Sequence, residues 1–222
     1  MFDFNGLRQS NLLLDWIQQG EGQQLDFKKT ISSAQKIAKS LVAFANTDGG
    51  RLLIGVRDNG SICGCPYEEE CHMIESAASV FCRPEVKFEP LEHVHKDKIV
   101  CEIYIPRSPD KPHSVLNEEN RWMVYQRVGD QNLLASKTML DVMRREQLDT
   151  GAQIEFSAME RTLLQYLDQN RNITLKDYMK LVNISKRRAN RIVVELVHAG
   201  LLLVHTSEKN EYFSLRAARS FQ

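Results

Sequence analysis

The chain has 222 residues, 42% of them apolar and 26% charged, and its 29 Lys and Arg balance its 29 Asp and Glu. That composition excludes a disordered chain and describes a globular protein long enough for one large or two modest cores. No apolar run reaches the length of a membrane span, and the start, MFDFNGLRQS, lacks a basic segment leading into an apolar one; with five scattered cysteines that suit a reducing compartment, the expected location is the cytoplasm, with no membrane partner.

Taken in order, residues 11–19 place Leu12, Leu13, Trp16 and Ile17 at helical spacing, and Gly20 stands where that helix would end. Residues 24–28 alternate, with Leu25 and Phe27 inward and Gln24, Asp26 and Lys28 outward, which predicts a half-buried strand. Ser32 or Ser33 then caps a helix carrying Ile37, Leu41, Phe44 and Ala45 on one face and stopping at Asn46. Thr47, Asp48, Gly49 and Gly50 predict a tight turn, residues 51–56 a short apolar strand, and Asp58-Asn59-Gly60 a second turn.

These residues carry a resemblance. LDFKK, FANTDGG and LLIGVRDNG, in that order and at matching separations, resemble the core of the Schlafen AlbA-like domain family over roughly residues 15 to 135. Lys111-Pro112-His113 and Tyr125-Gln126-Arg127-Val128-Gly129 resemble the closing strand of the same family. The resemblance implies an α+β fold with a mixed sheet and, because bacterial members are usually described as DNA-binding transcriptional regulators, nucleic-acid contact through the face carrying Lys28 and the glycine turn. It also implies a rival. In the animal Schlafen endoribonucleases three acidic groups at matching positions serve catalysis, and here those positions hold Glu21, Asp26 and Asp58, a set that could bind Mg²⁺ or Mn²⁺ and cut RNA. Two departures stand out: Asp26 is one methylene shorter than the usual Glu, and Arg57 replaces an acidic neighbour.

Further along, Pro66 opens a helix to about residue 81 with Glu68, Glu69 and Glu70 in its first turn, where carboxylates favour the helix dipole. Residues 86–94 and 99–105 read as strands around a polar turn, 107–120 as a polar loop, and 122–128 as a final strand. Ser136 caps a helix to about Gln147, and the composition then shifts across 148–154, a linker that divides a first domain, 1–148, from a second, 155–222. The second domain predicts helices at 159–167, at 175–182 behind Thr174 and at 186–199 behind Ser185, then strands at 201–206 and 212–215. This order resembles the winged helix-turn-helix class.

Charge points the same way. From Ser157 onward eleven Lys or Arg face six Asp or Glu, whereas the preceding residues hold eighteen against twenty-three. In the last helix Ala189, Ile192, Val193, Leu196 and Val197 form an apolar stripe that turns Arg187 and Arg191 outward, with Lys186 and Arg188 beside them and Lys209 in the wing loop. A helix meant for the major groove needs such an arrangement. Cys63, Cys65, Cys71, His72, His93 and His95 lack the paired spacing of structural zinc, and no G-x-x-x-x-G-K-[ST] occurs, so neither a metal nor ATP hydrolysis is expected. The expectation is therefore a DNA-binding regulator without a cofactor, forming a homodimer if its DNA site is twofold symmetric. The alternative is a metal-dependent endoribonuclease acting on RNA.

Overall fold

Gly20 ends helix α1 (Phe4–Gln19) with a φ of 78°, its N–H reaching the carbonyls of Trp16 and Ile17, a left-handed stop that glycine adopts without strain. The chain then enters β1 (Leu25–Lys28), crosses through α2 (Ala34–Asn46) and returns as β2 (Gly50–Ile54), parallel to β1. The computed structural model describes residues 4–148 and 156–216, and the chain divides into two units between Leu134 and Ala135.

In the first unit, α3 (Tyr67–Val80) and β3 (Cys82–Arg83) precede β4 (Glu89–His95) and β5 (Lys98–Ile105). The main sheet runs β1-β2-β5-β4, parallel in its first pair and antiparallel in the other two. Both faces of its centre are covered. Leu52, Ile54, Cys101 and Ile103 pack with α2 and α3, while Leu25, Phe27, Leu53 and Val100 pack with Leu13, Trp16 and Ile17 of α1. A strand buried on both faces reads as a continuous apolar run, as β2 does. Lys96 and Asp97, both at positive φ, make the two-residue turn between β4 and β5.

Two expectations fail here. The predicted loop at 107–120 contains β6 (Ser114–Leu116), which pairs with β3 and with β7 (Trp122–Met123). The predicted final strand is two strands in different sheets, because β8 (Tyr125–Val128) turns away from β7 to form a hairpin with β9 (Gln131–Leu134).

The second unit opens with α4 (Lys137–Gln147), capped by Ser136, which also donates a hydrogen bond to Glu211. Three helices follow, α5 (Ala158–Gln169), α6 (Leu175–Val182) and α7 (Lys186–His198), then the hairpin of β10 (Leu202–Thr206) and β11 (Glu211–Leu215). Leu163, Leu167, Tyr178, Ile192, Leu196 and Phe213 are among the side chains that fill the core between them. Ser157, Thr174 and Ser185 cap the three helices through their side chains, so each start is fixed by a local hydrogen bond. The division falls before α4, earlier than the composition shift, because α4 packs on α7: Thr138 donates to Asn190 at 2.9 Å, Asn190 to Asp141 at 2.7 Å, and Arg145 to Glu195 at 3.0 Å. Residues 149–154 of the expected linker lie outside the described residues. No helix among the described residues is long and apolar enough to cross a membrane.

Candidate nucleic-acid interface

Helix α7 presents the cations that its periodicity predicts. Ala189, Ile192, Val193 and Leu196 are buried in the core, and Lys186, Arg187, Arg188 and Arg191 are exposed. Val197 is only partly buried, whereas Asn190 and Val194 are buried in addition, on the side where α4 lies. The apolar stripe read from the sequence is therefore one of two covered faces. Lys209 stands in the exposed loop between β10 and β11.

The acidic set of the first unit is only partly gathered. Asp26, expected to face outward, is 5% exposed, because Arg127 from β8 reaches over it. Its carboxylate meets the Lys28 ammonium at 3.0 Å and the Arg127 guanidinium at 3.4 Å. Glu21 lies against it: burial, and then a hydrogen bond to Asp26, raise the Glu21 pKa above the usual carboxylate value, while the Phe27 N–H donated at 2.8 Å opposes them. Asp58 sits four residues past β2 on an exposed turn, and among the described residues no group of three or more His, Cys, Asp or Glu could hold a metal ion. The three carboxylates that the nuclease reading expects together are therefore not gathered as one ligand group.

Sequence reasoning missed what Arg127 does. Its side chain, 1% exposed, donates to the carbonyls of Gly22 and Leu25 and to Asn132 at 3.0 to 3.1 Å, and its guanidinium lies 4.9 Å from the centre of the Phe44 ring. The motif containing it was visible, but the carbonyls that it serves lie about a hundred residues earlier.

The glycine turn has a packing reason. A Cβ on Gly49 would fall 2.7 Å from the Ile105 carbonyl oxygen and the Arg107 nitrogen, and one on Gly50 2.5 Å from the Phe44 ring. Neither position admits a side chain.

Several of the cysteines and histidines have local partners as well. Cys71 and Cys101 stand with sulfurs 3.7 Å apart; burial pushes the Cys65 thiol up to about 11 and the Cys82 thiol to about 12, and raises that of Cys101 further. His93, 3% exposed, meets the Glu102 carboxylate at 2.7 Å, and Glu102 also accepts from Arg51 at 2.8 Å. A carboxylate only accepts here, so Nε2 of His93 carries the proton. His113 is held by the Pro84 carbonyl at Nδ1 and by Ser108 at Nε2, and burial lowers its pKa.

An α+β module with a four-stranded mixed sheet between α1 and the pair α2 and α3, followed by a helical unit ending in a hairpin, is the class of protein defined by this architecture. The family model described as Schlafen, AlbA_2 matches residues 21–136, more than half of the chain, and the chain belongs to that family. Membership associates it with nucleic-acid-related function. Among solved structures, the DIP2311 protein from Corynebacterium diphtheriae is similar at 18% identity and a TM-score of 0.47 over 73% of this chain; the match spans 40% of that protein's length. The N-terminal domain of a RecG-related protein from Nitrosomonas europaea is similar at 21% identity and a TM-score of 0.42, over 58% of this chain and 95% of that one. A comparison with curated proteins returns no match.

Proposed function

We propose that the chain is a DNA-binding protein, acting as a transcriptional regulator, whose second unit is a winged helix that meets duplex DNA with α7. The observation that carries this reading is the cationic start of α7, where Lys186, Arg187, Arg188 and Arg191 are exposed while the other side of the helix is buried. A recognition helix presents its N-terminal residues to base edges and uses neighbouring cations for phosphates. The order of three helices and a hairpin supports the winged-helix assignment, with α6 ended by Asn183 at a φ of 50° before the cap of α7, and Lys209 on the hairpin loop suits a phosphate. Family membership supports nucleic acid as a ligand of the first unit too. Contact there through Lys28 would be weak, because its ammonium already neutralises Asp26; dimerisation is the other role for this unit, and no cofactor is required.

The test is a gel shift of wild type and of Arg187→Ala with Arg191→Ala across salt concentrations. Losing phosphate contacts weakens binding to all sequences and flattens the salt dependence, and losing a base contact costs about 1 to 3 kcal/mol of discrimination. Affinity and salt slope unchanged in the double variant would remove α7 from the interface.

The second reading is an endoribonuclease, and the contact between Glu21 and Asp26 is the observation in its favour. Against it stand the engagement of Asp26 by Lys28 and Arg127 and the exposed turn holding Asp58. Structured RNA incubated with the protein and Mn²⁺ is expected to stay whole. Cleavage by wild type that is lost in Glu21→Ala and Asp58→Ala would establish the nuclease instead.

A further inference from the structure

We propose that α4 is a second DNA-contacting helix, and that the groove it forms with α7 grips the phosphate backbone of duplex DNA. This inference rests on the reading of the second unit as DNA-binding and extends it to a helix outside the predicted domain. The two helices run parallel, since Thr138 meets Asn190 near their starts and Arg145 meets Glu195 further along. Their N-terminal ends therefore open on the same side.

Between them lies a groove of about 560 Å³ lined by Lys137 from α4 and Arg187, Arg188 and Arg191 from α7. Asp141 is the carboxylate in the same wall, and it is already engaged, accepting from Asn190 at 2.7 Å and lying 3.6 Å from Arg144. Among the described residues none of the four lining cations pairs with a carboxylate. Like charges held together without a counterion repel, and an anion brought between them relieves that repulsion. The partial positive charge of both helix starts acts in the same direction.

The spacing of the cations favours a polymer over a free ion. Arg187 and Arg191 lie one turn apart, about 6 Å along the helix axis. Lys137 adds a cation from the neighbouring helix to the same groove, so the positive charge is shared between two elements. That arrangement suits successive phosphates of one strand. The groove is also held in shape. Asn190, 8% exposed, uses its side-chain oxygen and nitrogen on α4, and those two hydrogen bonds fix the N-terminal halves of the helices against each other.

Lys137→Gln tests the proposal in the full chain, because Lys137 is exposed and pairs with no carboxylate among the described residues. Binding to a set of random-sequence duplexes is followed by fluorescence anisotropy over a range of salt, beside the Arg187→Ala, Arg191→Ala variant. The expected result is weaker binding of Lys137→Gln to every duplex by a similar factor, with the log–log salt slope smaller in magnitude by about 0.9 and the ranking of sequences kept. If Lys137→Gln matches wild type while the arginine variant loses binding, the groove is overturned and the DNA reading survives. If both match wild type, both fall. Saturable displacement of the duplex by inorganic phosphate at constant ionic strength would overturn the backbone assignment and make the groove a free-anion site.

Discussion

Arg127 is the residue on which the frame of the first unit closes. It joins β8 to the turn before β1 through carbonyls, to Asp26 through charge and to α2 through the Phe44 ring. Removing one partner of a buried ion pair leaves polar groups without a counterpart, so Arg127→Ala is expected to destabilise the first unit by about 3 to 5 kcal/mol, read by urea denaturation. A loss no larger than that of an exposed arginine would contradict the assignment. His113 adds a pH dependence with a definite sign. Burial lowers its pKa below 6.5, so on acidification the unfolded chain takes up the proton first, and the stability His113 contributes is lost as pH falls from about 6.5 toward its folded value. Melting temperatures from about pH 7 to 5 should fall less steeply in His113→Gln than in wild type, whatever the offset between them; parallel slopes would exclude His113 as the source. The sequence showed both residues inside motifs, yet hid their roles. A buried arginine reads as an exposed one until the distant backbone it serves is known, and the same blindness put Asp26 on the outside of β1.

At the scale of elements, what was legible had a period or a cap. Ser33, Ser136, Thr174 and Ser185 start their helices as expected, and the helical stripe of α7 is buried along most of its predicted length. Among the segments missed, β3 has two residues and β6 three, too short to show a period, so pairing alone defines them. The helix α4 was found, but its place was not. Its hold on α7 passes through Thr138, Asn190 and Asp141, polar residues that a hydrophobic pattern counts as surface. That packing changes what α7 can offer, since the arc left open between the core and α4 is the one carrying its arginines.

Across the whole molecule, the neutral total conceals an acidic first part and a basic last part, and the cations of the last part are exposed at the start of α7. Family membership associates the chain with nucleic-acid-related function, and the charge split is what the DNA contact proposed for the second unit draws on. The acidic set read as a nuclease centre was legible as three residues at family positions, but spacing in sequence could not reveal that Asp26 is engaged by two cations. The central claim is that duplex DNA is held through exposed cations of α7. The most direct measurement is the affinity of the intact wild-type chain for a random-sequence duplex as a function of salt. A claim based on phosphate contact predicts a linear fall of log K with log salt, with a slope of about −0.9 for each phosphate neutralised and several phosphates in all. Binding that does not change with salt, or no binding to duplex DNA at low salt, would contradict it.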